Sequence, residues 1–100
     1  MNIFKALLMY IFHIIHFEFD AAKSSENMEK HGIDFRRARQ LWLDPERVEL
    51  PARVQGEPRF LVIGKIDGTF WSGVFTYRGD RIRIISVRRS RTKEIEQYES

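Results

Sequence analysis

The chain has 100 residues, a formal net charge of +3 and a hydrophobic fraction of 43%, values that suit one domain with one modest core and exclude a disordered chain. It has no cysteine, which excludes a disulfide framework and thiol chemistry and fits a reducing, cytoplasmic setting. His13, His16 and His31 lack metal-ligand spacing, so neither a zinc site nor another cofactor is expected.

Residues 1–16 stand apart from the rest. One lysine, Lys5, precedes the largely apolar run Ala6-Leu7-Leu8-Met9-Tyr10-Ile11-Phe12-His13-Ile14-Ile15. The basic start is thin, no small-x-small cleavage site follows, and the run is too short to cross a bilayer comfortably. It reads as an extension ahead of a domain over residues 17–100, with no membrane role.

His16-Phe17-Glu18-Phe19-Asp20 alternates like a half-buried strand, with Phe17 and Phe19 on one side and Glu18 and Asp20 on the other. Asp20 is placed to cap a helix over 21–30, whose thin apolar face is Ala21, Ser25 and Met28, and Gly32 suits the left-handed position just past its end. Asp34 opens a second helix reaching to about residue 43, with Phe35, Ala38, Leu41 and Trp42 as its apolar stripe. Asp44-Pro45 closes it. An extended segment over 47–54 contains Pro51, which confines it to a sheet edge.

Residues 59–66 and 69–77 form two apolar strands joined by Asp67-Gly68, a strong short hairpin signal. Gly79-Asp80 turns the chain into a third strand over 81–87. Ser90 is placed to cap a last helix over about 91–99. Strand, helix, helix, an antiparallel meander of three or four strands and a final helix make an α+β fold, with the helices expected on one sheet face.

Positive charge concentrates late in the chain. Seven of the sixteen residues 78–93 are Arg or Lys, against one acid, which points to an anionic partner, most simply a nucleic acid backbone. On strict alternation Arg81, Arg83 and Arg89 share one face, and Arg88 lies on the other with Ile82, Ile84 and Ser86. Arg59 and Lys65, an even number of positions apart, project from one face of their strand and are placed to converge with the basic strand. These charges fit a phosphate-binding surface, where the guanidinium fork grips two oxygens at once, and fit equally a solvated edge. Trp42 and Trp71 read as core. His31 is a candidate acid or base, or a partner for the last carbonyls of its helix.

Several motifs taken together resemble the BrnT toxin family. They are Phe17-Glu18-Phe19-Asp20-Ala21-Ala22-Lys23, Asn27-x-x-Lys30-His31-Gly32-Ile33-x-Phe35, Asp44-Pro45, Arg59-Phe60-x-x-Ile63-Gly64, Asp67-Gly68, Val74-Phe75-Thr76, the run from Arg81 to Arg89, and Glu94-x-x-x-Tyr98-Glu99. The resemblance covers residues 17–99. Phe19 stands where the family usually has tryptophan, and the apolar extension is not part of the pattern.

The resemblance implies a RelE-like ribonuclease, the toxin of a type II toxin–antitoxin pair, which cleaves RNA without a metal and arrests translation. It also implies neutralisation by a ribbon-helix-helix antitoxin in a two-plus-two complex that binds operator DNA through the antitoxin. Arg88 and Arg89 are implied to belong to the active surface. With Arg59 and Lys65 they form the catalytic candidates, and Arg78, Arg81 and Arg83 are the candidates for RNA binding. Such a reaction needs a base for the ribose 2′-OH, and Glu57, His31 and Asp80 stand unranked. The competing reading is a non-catalytic binding module, a decayed toxin, that uses the same basic strand.

Overall fold

The computed structural model describes residues 2–53 and 55–100. Met1, and Val54 of the expected extended segment, lie outside the described residues, as do the side chains of Leu8, Ile11, Phe12 and Arg53. Helix α1 (Ile3–Ile14) precedes strand β1 (His16–Glu18) and helix α2 (Ala21–His31). A single α-turn, α3 (Phe35–Ala38), runs on as a 3₁₀ helix over Arg39–Leu43. Strands β2 (Val48–Arg53), β3 (Arg59–Ile66), β4 (Thr69–Arg78) and β5 (Arg81–Arg89) follow, and helix α4 (Thr92–Glu99) comes last.

The five strands form one sheet in the order β1-β5-β4-β3-β2. Strands β2 to β5 are an antiparallel meander, and β1 lies parallel to β5, pairing His16 with Arg81 and Glu18 with Arg83. The α+β expectation holds. Asp67 and Gly68 both have positive φ, 49° and 80°, as a two-residue hairpin with the right twist requires. β2 is the edge strand that Pro51 demanded, and a register shift between Pro51 and Arg53 blunts that edge further.

Local chemistry explains the helix boundaries. The Asp20 carboxylate accepts from Lys23 N at 3.0 Å, and Gly32 ends α2 with φ 80° and its amide on Met28 O. Asp34 accepts from Arg37 N at 2.8 Å and starts α3. The single longer helix expected up to residue 43 is instead split into α and 3₁₀ turns. Asp44 ends it by accepting from Glu46 N and Lys65 N.

One face of the sheet carries the main core. Ile33, Phe35, Ala38, Leu41 and Trp42 pack on Val62, Ile66, Trp71, Phe75, Ile82, Ile84 and Val87. Leu41 lies so close to the sheet that a Cβ on Gly64 would meet its Cδ2 at 3.2 Å. Phe17 meets the Trp42 ring edge-on, and Phe19 meets Phe35 in the same way. The expected grouping of all helices on one face does not hold. Helix α4 lies on the opposite face, where Tyr98 packs edge-on against Phe70 at 5.2 Å between ring centroids.

The apolar face expected for α2 is also different. Met28 is 51% exposed, and the buried residues of the helix are the polar Ser24 and Asn27. Both serve backbone groups. Ser24 Oγ accepts from Phe35 N at 2.9 Å. Asn27 Nδ2 donates to Ile33 O at 2.8 Å and to Val87 O at 2.9 Å, and its Oδ1 accepts from Val87 N at 3.1 Å. β1 pairs with β5 only as far as Arg83, so β5 would otherwise present unpaired groups to a dry interior. The Asn27 amide has the donor and acceptor of a peptide and completes the ladder there.

At the start of the chain, α1 exposes Ile3, Phe4, Leu7, Met9, Tyr10 and Ile14. Among the described side chains Ile15 is the first of this region packed on the core, and His16 already pairs with β5. No helix of the described residues is long and apolar enough to cross a membrane. Two predictions follow from this packing. Asn27→Ala leaves three buried backbone groups without partners and is expected to cost about 3 kcal/mol in urea unfolding. Deleting residues 2–14 is expected to leave the melting temperature within a degree or two while raising solubility, since an exposed apolar patch drives association.

Candidate nucleic-acid interface

The direction of each β5 side chain depends on one irregularity. Val74 pairs with Ser86 and Phe75 with Ile84, so Ile85 is an extra residue, a β-bulge. A bulge reverses the alternation beyond it. Ile82, Ile84 and then Val87 therefore face the core, and Arg81, Arg83, Ser86 and Arg88 share the opposite face. Strict alternation assigns Arg88 and Arg89 the other way round. Arg89 pairs with Trp71 on the core-facing side, and its guanidinium lies 5.5 Å from the indole centroid.

Arg88 is committed within the protein. Its Nη1 and Nη2 donate to the two oxygens of Glu94, each at 2.8 Å. Glu94 Oε1 also accepts from Ser72 Oγ at 2.9 Å and Arg91 N at 2.8 Å. Arg91 therefore stands at the helix start, and Ser90, the expected cap, hydrogen-bonds Ser72 at 2.7 Å. The Arg88 pair, joined by the Arg91 amide and the Ser72 hydroxyl, holds the Glu94 carboxyl down at about 2, from an ordinary value of 4.5. At its far end α4 is tied by Tyr98, whose hydroxyl donates to Asp44 Oδ2 at 2.8 Å.

Arg59 and Lys65 do share a face, as their spacing requires, because Leu61 pairs with Val74 and Lys65 with Phe70. They do not converge. Six positions of strand separate them by about 20 Å. Lys65 Nζ lies 4.9 Å from the Phe70 centroid and 5.8 Å from that of Tyr98, in a second, more apolar depression with Leu43 and Pro45.

The remaining arginines come together at the other end of the sheet. Arg59, Arg78 and Arg83 line a groove of about 370 Å³ with Glu57, Asp20, Lys23, Ile84 and Ile85. Each wall has a structural origin. Arg59 follows the β2–β3 loop, Arg78 ends β4, Arg83 sits just before the bulge, and Asp20 and Lys23 belong to the first turn of α2. Arg81 stands beside the groove, and Glu18 lies between it and Arg83 at 3.9 and 3.7 Å. Four guanidinium groups thus face two glutamates.

Arg78 Nε donates to Glu57 Oε1 at 2.9 Å. That hydrogen bond first, and then the charges of Arg78, Arg59 and Arg83, hold the Glu57 carboxyl below its ordinary range, so it is ionised near neutrality. Arg59 Nε is shielded from solvent and has no acceptor among the described residues. Glu57 was unranked in the sequence, and only the cross-strand register reveals that Arg59, Arg78 and Arg83 surround it. His31 lies in a separate shallow depression with Lys30 and Ser86, and Asp80 is exposed in the turn after β4. Among the described residues no group of three or more His, Asp or Glu side chains stands close enough to hold a metal ion.

These features define a small α+β protein with an arginine-lined groove at one end of its sheet. The family model described as the ribonuclease toxin, BrnT, of type II toxin-antitoxin systems matches residues 19–94, and the chain belongs to that family. A search of the curated proteins found no match.

The Arg88–Glu94 pair gives a pH prediction. The folded carboxyl is depressed, so its contribution is complete above the ordinary value of 4.5 and is lost as the pH falls toward 2. Glu94→Gln is expected to lower stability at pH 7 by about 2 kcal/mol, allowing for solvent screening. The difference from the parent protein should shrink steadily below pH 4.5 in denaturant titrations.

Proposed function

We propose that the chain is an RNA-cleaving toxin of RelE-like fold that arrests translation, works in the cytoplasm without a metal, and uses the arginine groove as its reaction site. The observation that carries this reading is the convergence of Arg59, Arg78 and Arg83 around one ionised carboxylate in an open groove. Phosphodiester cleavage by the neighbouring 2′-OH crowds negative charge onto phosphorus, and forked guanidinium donors suit that charge. The 2′-OH is the nucleophile, so DNA is inert.

In this reading Arg59, Arg78 and Arg83 contact the scissile phosphate, and Arg81 holds a flanking one. Arg88 acts indirectly, by seating α4 through Glu94. Arg89 and Lys65 lie outside the groove. Membership of a type II toxin family implies an antitoxin partner. We assign it a ribbon-helix-helix dimer in a two-plus-two complex that reaches operator DNA through the antitoxin. Carboxylates of the antitoxin laid over the groove would block substrate directly.

The test is incubation of the purified chain with RNA and with DNA of the same sequence in a chelator. RNA alone should be cut. Arg59→Ala and Arg83→Ala should each slow cleavage by about 10²–10³-fold, the usual loss for one oxyanion donor. Each should also flatten the salt dependence of RNA affinity by about 0.7 in log–log slope. Binding of both nucleic acids with no cleavage of either would leave a plain binding module.

A further inference from the structure

Of the two carboxylates that line the groove, Glu57 is the one held by an arginine rather than by a helix amide, and from this we infer that Glu57 is the general base that takes the proton from the ribose 2′-OH. The assignment rests on the ribonuclease reading and adds a catalytic residue to it.

Three acids are near enough to be considered. Asp20 lines the groove, but its carboxylate caps α2 by accepting from Lys23 N at 3.0 Å. Protonating it would remove the cap and weaken the helix start. Glu18 is not among the groove-lining residues and lies between Arg81 and Arg83. Glu57 also lines the groove and, like Asp20, is engaged through one oxygen, but its partner is the half-exposed Arg78, which a phosphate can draw away without undoing a helix start. Oε1 accepts from Arg78 Nε, while Oε2 accepts no hydrogen bond among the described residues.

The arginines that depress the Glu57 carboxyl are also the groups a phosphate would engage. In the free protein they keep Glu57 ionised, which is the form a base must have. When an RNA phosphate enters, Arg59, Arg78 and Arg83 share their charge with it. Glu57 then loses part of what held its proton affinity down, so it becomes a stronger base only once substrate is in place.

The step balances. Glu57 Oε2 takes the 2′-OH proton as the 2′ oxygen bonds to phosphorus and the bond from phosphorus to the 5′ oxygen breaks. Water protonates the leaving 5′ oxygen, and the hydroxide so formed recovers the proton from Glu57. The products are a 2′,3′-cyclic phosphate and a 5′-hydroxyl end.

The experiment compares the full parent chain with Glu57→Gln, which keeps an acceptor for Arg78 but cannot take a proton. Single-turnover cleavage is measured on a short RNA, and affinity on the same sequence fully 2′-O-methylated, which binds but cannot react. The expected result is an on-the-order-of 10²–10⁴-fold slower cleavage, with affinity within threefold and an unchanged melting temperature. Parent-like cleavage by Glu57→Gln would overturn the assignment, and so would an equal loss of affinity and rate, which would mean that Glu57 only arranges the arginines. Absence of cleavage by the parent chain would instead remove the ribonuclease reading, and the assignment with it.

Discussion

The constraint on which the rest of the molecule depends is the need of β5 for hydrogen-bond partners on both sides. β4 supplies one side along the whole strand, but β1 supplies only three residue pairs on the other. Beyond them the Asn27 amide takes over at Val87. The same amide donates to Ile33 O and so fixes the exit from α2 as well. An unpaired buried peptide group is expensive, so α2 is held at one height and rotation over the sheet. That placement brings Asp20 and Lys23 to the mouth of the groove. A polar residue in the core thereby sets the position of a groove wall it does not touch.

The two clusters of arginine differ in what their charge is used for. Arg88 meets both oxygens of Glu94 in a pair whose side chains are 28% and 15% exposed, and its charge is consumed in holding α4 on the sheet. At the other end the pairings are looser and wetter. Arg78 and Glu57 are 50% and 40% exposed, and Glu18 stands nearly 4 Å from Arg81. Exposed pairs of that kind are weak and are readily exchanged for a better anion. One amino-acid type thus serves as a fastener on one side of the bulge and as an accessible cation on the other.

Much of the architecture was legible in the sequence because local chemistry decides it. Asp20, Gly32 and Asp34 mark helix ends, Asp67-Gly68 makes the hairpin, and Pro51 marks the edge strand, each through a rule that operates within a few residues. The site was legible only in part. Alternation along β5 is correct up to Ile84 and inverted afterwards, because nothing in Arg81-Ile82-Arg83-Ile84-Ile85-Ser86-Val87 announces which residue will be left unpaired. The role of Asn27 depends on a strand sixty positions away, and a polar residue in that helix reads as solvent-facing. The face chosen by α4 follows from Glu94 meeting Arg88, which the inverted alternation conceals. Arg59 and Arg78 fell among the candidates by type, but their union around Glu57 is a matter of cross-strand register.

The parallel pairing of β1 with β5 also has a kinetic side. The meander from β2 to β5 consists of hairpins between neighbouring segments, contacts that close short loops and form early. Joining His16 to Arg81 closes a loop over most of the chain, and the entropy of that closure must be met before the contact returns anything. The wall containing Asp20 and Lys23 therefore docks late in folding, onto a meander already built. A chain caught before that step has its hairpins and its arginines but lacks the wall that Asp20 and Lys23 supply, so the complete groove arrives only with the native state.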